Sequence, residues 1–230
     1  MCGRYTVRRI DSLRSIFDAR TSSKFDEFSE IRRSGLQGLF NIAPSMQIPV
    51  VRLNSKGERV LDLIRWGLIP SWTKEKPKSQ PCNARAETLA TSGMFRQALE
   101  RRRCLVPADG FYEWQGAKPP KQPYFIHRPD DRPFAFAGLW ERWKPDAETD
   151  PIDTCTIITT SPNELMAPIH NRMPVVLDES EYERWLDRGQ QPDEIEKLLN
   201  PYDGELQADP VSTRVNNVRN DGPELVEPVK

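Results

Sequence analysis

A cysteine stands at position 2 of the chain, directly behind Met1, in the opening stretch MCGRYT. With Met1 in place, Cys2 offers only a thiol. If Met1 is removed, the same residue carries a free α-amine beside its thiol, and the chain begins with a 1,2-aminothiol. The sequence therefore raises the question of whether MCGRYT is merely a start or an active site.

A second polar group lies in CNARAET, residues 82–88. Asn83 and Arg85 are two residues apart, so their side chains share a face if this stretch is extended. The alternative is a surface loop with an adventitious arginine, and periodicity alone favours that alternative.

A carboxylate stands among aromatic residues in PADGFYEW, residues 107–114. In a strand, Glu113 shares a face with Phe111, while Tyr112 and Trp114 point the other way. Burial among such neighbours raises the pKa of a carboxyl group, which suits a general acid. The alternative is an edge-strand glutamate that faces solvent, and the pattern leaves both open.

Two further stretches hold side chains of ambiguous role. His170 and Arg172 lie between Pro168 and Pro174, and prolines on both sides favour a rigid presentation. A lone histidine is more often structural, and the spacing does not exclude that. In RWGLIPSW, residues 65–72, a Gly/Pro turn carries two tryptophans that are either core residues or, beside arginines, a stacking platform for unpaired bases.

The elements that must position these residues are mostly strands. GRYTVR predicts a strand right after Cys2, and NSKG between two apolar runs predicts a hairpin. Asp11 and Ser92 are predicted to cap short helices, two late helices follow residue 177, and residues 20–40 are predicted to be irregular. Further strands, joined by Gly, Pro and Asp turns, are predicted in CLVPADGFYEW, QPYFIH, PFAFAGLWERW and TCTIITT.

The bulk composition narrows the class of protein. The 230 residues include 21 prolines and carry a net charge of −1, so the fold is expected to be rich in strands and loops, and any nucleic-acid site must be a local basic patch. Four cysteines without CxxC spacing and only two histidines argue against a zinc site or a disulfide framework. No metal or cofactor is expected. Without a signal-type segment or an apolar run of about 20 residues, a cytoplasmic location is expected.

Six ordered motifs together resemble the SRAP family, the SOS-response-associated peptidase-like proteins that protect abasic sites in single-stranded DNA. They run from residue 2 to the apolar strand near 177, and VSTRVNNVRNDGPELVEP is also in keeping with the family. The motifs are CGRY, FNIAPS, RWGLIPSW, CNARAET, CLVPADGFYEW and IHNRMPVVL.

The resemblance implies an α+β fold: a single compact domain over residues 1–230, with a bent, barrel-like, mostly antiparallel β-core flanked by short helices, and a C-terminal tail from about residue 215. It implies that Met1 is removed and that Cys2 becomes the catalytic N-terminus. The other matching positions for chemistry are Asn83, Glu113 and His170. Matching positions for DNA are the phosphate-gripping Arg4, Arg85 and Arg172 and the apolar surfaces of Trp72 and Trp114.

The chemistry implied is condensation with the aldehyde of an abasic sugar. The amine forms a Schiff base, and the thiol then closes a five-membered thiazolidine. An α-amine with a pKa of about 8 is roughly one-tenth neutral at pH 7, whereas a lysine amine, at about 10.4, needs a large shift. The expected partner is single-stranded DNA with abasic sites, bound by a monomer that is nucleoid-associated when on DNA and has no membrane partner.

Two alternatives remain open from the residues. Cys2 can serve as the nucleophile of a thiol autopeptidase that cleaves its own Met1 linkage, because Cys-His-Asn chemistry recurs on unrelated folds. The chain can also be a non-covalent reader of single-stranded or modified DNA in which Cys2 is merely structural.

Overall fold

The computed structural model describes residues 2–33 and 38–229, without the side chain of Arg33. Within those residues the strands are β1 Tyr5–Val7, β2 Arg20–Thr21, β3 Leu39–Ile42, β4 Gln47–Leu53, β5 Arg59–Trp66, β6 Asn83–Arg85, β7 Arg103–Ala108, β8 Gly110–Gln115, β9 Gln122–His127, β10 Phe134–Trp143, β11 Ile152–Thr160, β12 Met173–Pro174, β13 Val176–Leu177 and β14 Gln207–Pro210. The α-helices are α1 Leu13–Ile16, α2 Ser23–Arg33, α3 Arg96–Arg101, α4 Tyr182–Leu186 and α5 Pro192–Glu196. None of the described helices is long and apolar enough to span a bilayer.

Five strands close into a barrel. Strands β5, β4, β7, β10 and β11 pair in that order, and β11 returns to β5 through a parallel pairing that sets Cys155 opposite Trp66. The other four pairings of the ring are antiparallel. The predicted fold class, a single α+β domain with a barrel-like and mostly antiparallel core, is therefore confirmed.

A second sheet of five strands packs against the barrel in the order β14, β9, β8, β1, β3. The chain passes from barrel strand β7 into β8 at Asp109, whose carboxylate accepts hydrogen bonds from the Thr6 hydroxyl and the Arg8 backbone N–H, both at 2.5 Å. Tyr5 of β1 reaches into the barrel, where its ring meets Trp66 and Phe136 edge to face. The N-terminal strand is thus held by both layers.

The predicted hairpin is present as β4 and β5, with Gln47 opposite Arg65 and Leu53 opposite Arg59. Asn54 organises the turn, since its side-chain oxygen accepts from the backbone N–H groups of Lys56 and Glu58. Gly57 at φ 78° supplies the left-handed residue that such a turn requires.

The expectation of an irregular stretch over residues 20–40 is wrong for the part that the structure describes. Residues 23–33 form helix α2, which buries Phe25 and Ser29 and packs against β5. The tertiary packing of this otherwise polar helix overrides its weak apolar pattern. Residues 34–37 lie outside the described part.

The two predicted helix caps also differ from the structure. Asp11 lies inside a 3₁₀ turn, Ile10–Ser12, that leads into α1, and neither element has a side-chain cap. Ser92 accepts a hydrogen bond from the Met94 N–H at 3.3 Å, before α3 begins at Arg96 without a side-chain cap.

The stretch expected to be a tail from about residue 215 is packed onto the second sheet. Val215 and Leu225 are fully buried beside Tyr112 and Phe125. A short bridge between Val211 and Pro228 fixes its far end.

Candidate functional site

The N-terminal cysteine is delivered to the junction of the barrel and the second sheet. Cys2 is fully buried and lies three residues before the start of β1, whose Tyr5 pairs with Phe111 of β8. The Arg4 carbonyl accepts the Tyr112 N–H at 3.0 Å, so the residues after Cys2 continue the sheet. Burial, and then the charge of Glu113, raise the pKa of the Cys2 thiol, which keeps it protonated in the resting chain.

Asn83 contacts Cys2 directly. It opens β6, a short strand that runs parallel to β11 with Asn83 opposite Ile157. Its amide nitrogen donates to the Cys2 carbonyl at 2.8 Å and to the Cys82 sulfur at 3.4 Å. Its amide oxygen is buried without a hydrogen-bond partner among the described residues. This oxygen is therefore an acceptor that is available to a hydrogen-bond donor entering the site.

Glu113 is the carboxylate of the site. It lies on β8 opposite Tyr124 and is only 2% exposed. Burial raises its pKa to about 7, so near neutral pH the group is distributed between acid and carboxylate. The sequence left open whether Glu113 is buried or faces solvent; in the structure it is buried, and its pKa is raised as burial requires.

His170 faces Glu113 from a loop on the other side. Its Nε2 lies 4.0 Å from Glu113 Oε2, a gap that one bridging atom can fill. Its Nδ1 lies 3.0 Å from the Arg172 backbone nitrogen and 3.2 Å from the Arg172 carbonyl oxygen, so the Nδ1 edge of the ring is held by its own loop and Nε2 is left facing Glu113. Burial lowers the pKa of His170, so the ring is neutral at pH 7.

Gln115 holds this loop in place, and the sequence patterns did not single it out. It ends β8, two residues beyond Glu113, and its amide donates to the Pro168 carbonyl at 3.1 Å. The strand that carries Glu113 thus also anchors the segment that carries His170. No local sequence pattern predicts that a glutamine at a strand end contacts a residue 53 positions away.

The three arginines expected at phosphates have different surroundings. Arg85 is exposed and forms no ion pair within the described part of the chain. Arg172 forms a two-pronged ion pair with Glu87 and also donates to the Thr159 carbonyl. A phosphate that binds Arg172 must therefore share or displace Glu87, whose pKa is lowered by that same hydrogen bond.

Arg4 is tied to the C-terminal segment. Its Nη1 donates to the Asn41 side-chain oxygen and to the Val215 carbonyl, both at 2.8 Å. Asn41, which is 2% exposed, in turn donates to three backbone carbonyls of that segment. Arg4 organises structure here, and its predicted contact with phosphate stays a prediction.

The two predicted tryptophans also differ. Trp72 is 63% exposed in the loop between β5 and β6, whereas Trp66 of the same motif is fully buried in the barrel. Trp114 is half-buried beneath Arg4, whose guanidinium lies 6.0 Å from the ring centre, and its indole N–H donates to Asn216 at 2.7 Å. Of the two residues, Trp72 is the freer to stack on a base.

No group of three or more metal-binding side chains converges within residues 2–33 and 38–229. The site consists instead of a buried N-terminal cysteine, an amide, a carboxylic acid with a raised pKa and a neutral histidine, carried by four separate segments around one junction. This arrangement defines a class of barrel protein with a polar cluster built around the cysteine at position 2.

The chain belongs to the SRAP family. A profile of that family, described as SOS response associated peptidase, matches residues 1–218. Abasic site processing protein YoqW of Bacillus subtilis (strain 168) is 42% identical over 231 aligned residues, covering 99% of both chains. Abasic site processing protein HMCES of Gallus gallus is 39% identical over 198 residues, covering 75% of this chain and 59% of that protein.

The fold has a solved counterpart. A crystal structure of a protein from Bacteroides thetaiotaomicron superposes with a TM-score of 0.86 at 25% identity and covers 100% of both chains. The predicted family is thus confirmed by sequence over nearly the whole chain, and the barrel architecture by structure.

Proposed function

We propose that this protein processes abasic sites in single-stranded DNA by forming a covalent thiazolidine link through Cys2 after removal of Met1. The observation that carries the proposal is the convergence of Asn83, Glu113 and His170 on the N-terminal cysteine. The printed names of the relatives, abasic site processing proteins, support the same substrate. We also propose that the protein acts as a monomer in the cytoplasm and is nucleoid-associated when bound to DNA.

The first step is opening of the sugar ring. The C1′–O4′ bond breaks, O4′ takes a proton from neutral Glu113, and the C1′ hydroxyl gives its proton to water as it becomes the aldehyde. A carboxyl group whose pKa is about 7 can donate this proton and recover it near neutral pH.

Condensation follows in two steps, formation of a Schiff base and closure of the thiazolidine ring. The neutral α-amine of Cys2 adds to the aldehyde carbon and water leaves, which gives the Schiff base. The thiol then adds to the same carbon, and its proton passes to the former imine nitrogen as the thiazolidine closes. Neutral His170, whose Nε2 lies 4.0 Å from Glu113 Oε2, can relay protons between that carboxyl group and the reacting atoms.

The amide of Asn83 keeps the N-terminus in position. Its hydrogen bond to the Cys2 carbonyl fixes the residue that bears both nucleophiles, and its unsatisfied oxygen can accept from the amine or from a sugar hydroxyl. Such pre-positioning lowers the entropic cost of the reaction.

A denaturing gel tests the proposal. Purified protein is incubated with a single-stranded oligonucleotide that carries one abasic site, beside a Cys2→Ala variant. The wild type should give an adduct that survives denaturation. The variant keeps the amine and should give only a labile Schiff base. A wild type that forms no stable adduct contradicts the proposal, and intact mass shows whether that sample has lost Met1.

A further inference from the structure

Three neighbouring cavities lie along helix α3, away from the buried Cys2. Their volumes are about 350, 410 and 590 Å³. The first and second share Arg96 and Glu100 as lining residues, and the second and third share Arg101 and Arg188. Because neighbouring cavities share lining residues, the three adjoin one another along α3, and together they are named here the α3 groove.

Three exposed arginines give this groove positive charge that the protein does not neutralise. Arg96, Arg101 and Arg188 form no ion pair in the described part of the chain. Arg188 is held in place by donation to the Leu53 carbonyl at 2.8 Å. Unpaired guanidinium groups lined along a groove are suited to phosphates, which they bind through paired N–H donors.

A second set of arginines lines the wide end of the groove, and each of these is paired. Arg52 lies between Asp62 and Asp153, each at 2.7 Å, and stacks 4.1 Å from the ring centre of Trp140. Arg142 and Arg102 pair with Asp153 and Glu141. These ion pairs fix the wall of the groove and add little free charge.

The lining of the groove is one-sided in charge. Besides the six arginines named above, the buried Arg103 lines it, whereas Glu100 is its one acidic lining residue within the described chain. Asp187 lies near Arg103 without lining the groove. On a chain with a net charge of −1, this is a concentrated basic surface.

The narrow end of the groove is connected to the candidate active site through one loop of the chain. Trp72, the exposed tryptophan, lines the first cavity. Its loop is tied to the end of β10 by the Trp143 indole, which donates to the Thr73 carbonyl at 2.8 Å. The same loop ends at Asn83, the residue that contacts Cys2.

We infer that the α3 groove binds the single DNA strand that flanks the abasic nucleotide, running from Trp72 past Arg96, Arg101 and Arg188. The inference rests on the proposed function and adds the path of the substrate beyond the reactive sugar. A row of free arginines with an exposed tryptophan at its entrance matches a single strand, whose phosphates are charged and whose bases are free to stack.

The test compares the wild type with an R96A/R101A/R188A variant on unmodified single strands of about 6 and about 20 nucleotides. For the wild type we expect tighter binding of the longer strand. In the triple variant, the ratio of the affinity for the longer strand to that for the shorter strand should fall by at least about tenfold. Its plot of log affinity against log salt for the longer strand should be flatter by about 2, since each single-strand phosphate contact contributes about 0.7.

The matched control removes the same charge elsewhere. Arg9, Arg14 and Arg132 are exposed and line none of the three cavities of the groove; Arg132 pairs with the exposed Glu179 at 3.6 Å. An R9A/R14A/R132A variant should keep the preference for the longer strand and the salt slope. Thermal unfolding of both variants checks that each is folded.

The outcomes separate the inference from the proposed function. If the triple variant keeps the length preference and the salt slope of the wild type, the groove does not hold DNA, and an acidic protein segment becomes its better occupant. If the wild type binds long strands through the groove but forms no adduct with abasic DNA, the proposed function fails while the groove stands.

Discussion

The shifted pKa of Glu113 can be measured through the pH dependence of the protein's stability. Burial raises its pKa from the usual 4.5 to about 7. At a pH between about 4.5 and about 7, Glu113 is therefore protonated in the folded protein and ionised in the unfolded chain. By linkage, this carboxyl group makes the folded state less stable as pH rises from about 4.5 to about 7, and the penalty is constant above that range.

Replacing Glu113 by glutamine should remove this penalty. We expect E113Q to gain stability over the wild type as pH rises from 5 to 8, by up to about 3 kcal/mol for a shift of about 2.5 pKa units. Urea unfolding at several pH values measures the difference. The same variant should slow adduct formation, because glutamine has no proton to give.

Glu87 provides a control of opposite sign. The hydrogen bond from Arg172 lowers its pKa, so its contribution is stabilising above the unfolded pKa and is lost as pH falls. E87Q should therefore lose stability at neutral pH and match the wild type in acid. If the difference in free energy of unfolding between E113Q and the wild type does not change between pH 5 and 8, the raised pKa of buried Glu113 is contradicted.

At the scale of elements, the corner between β7 and β8 decides where Glu113 lies. Gly110 opens β8 directly against β9, and a Cβ atom there would come 2.2 Å from the ring of Phe125 and 3.1 Å from the Ile126 carbonyl. Neither neighbour has room to yield, since both lie in buried parts of the second sheet.

A methyl group at Gly110 should therefore destabilise the strand that carries the carboxylate. We expect G110A to lower the free energy of unfolding by about 1–3 kcal/mol, the range typical of overpacked interiors, and to slow adduct formation in protein that remains folded. G93A is the matched control, because a Cβ at Gly93 meets no atom within 4 Å. Equal stabilities of the two variants in urea would contradict this account of the corner.

Elements held by local signals were predictable from the sequence, and those held by distant contacts were not. Asn54 and Gly57 identify the hairpin within five residues, whereas the aromatic alternation around Glu113 is compatible with both burial and exposure, and only the packing of the second sheet decides between them. Helix α2 is stabilised by packing on β5, which its polar sequence does not reveal. The ion pair of Arg172 with Glu87 joins residues 85 positions apart, beyond the reach of any local pattern.

At the scale of the whole molecule, the site depends on cooperative closure of the fold. Cys2, Asn83, Glu113 and His170 come from four segments spread over most of the chain. They meet only when β1 has joined the second sheet and β11 has closed the barrel against β5. The parallel closure joins strands about 90 residues apart, so neither half of the barrel can form the site alone.

Two buried thiols of the barrel test this cooperativity. Cys104 of β7 and Cys155 of β11 are fully buried, and burial raises both thiol pKa values. In a C2A/C82S variant they are the remaining cysteines, and a thiol reagent should reach them only when the barrel opens. We expect the free energy of opening from their labelling rates to equal the global free energy of unfolding from urea. A free energy of opening far below the global value would contradict a single cooperative unit. It would mean that the barrel can open while the second sheet, with Glu113, stays folded.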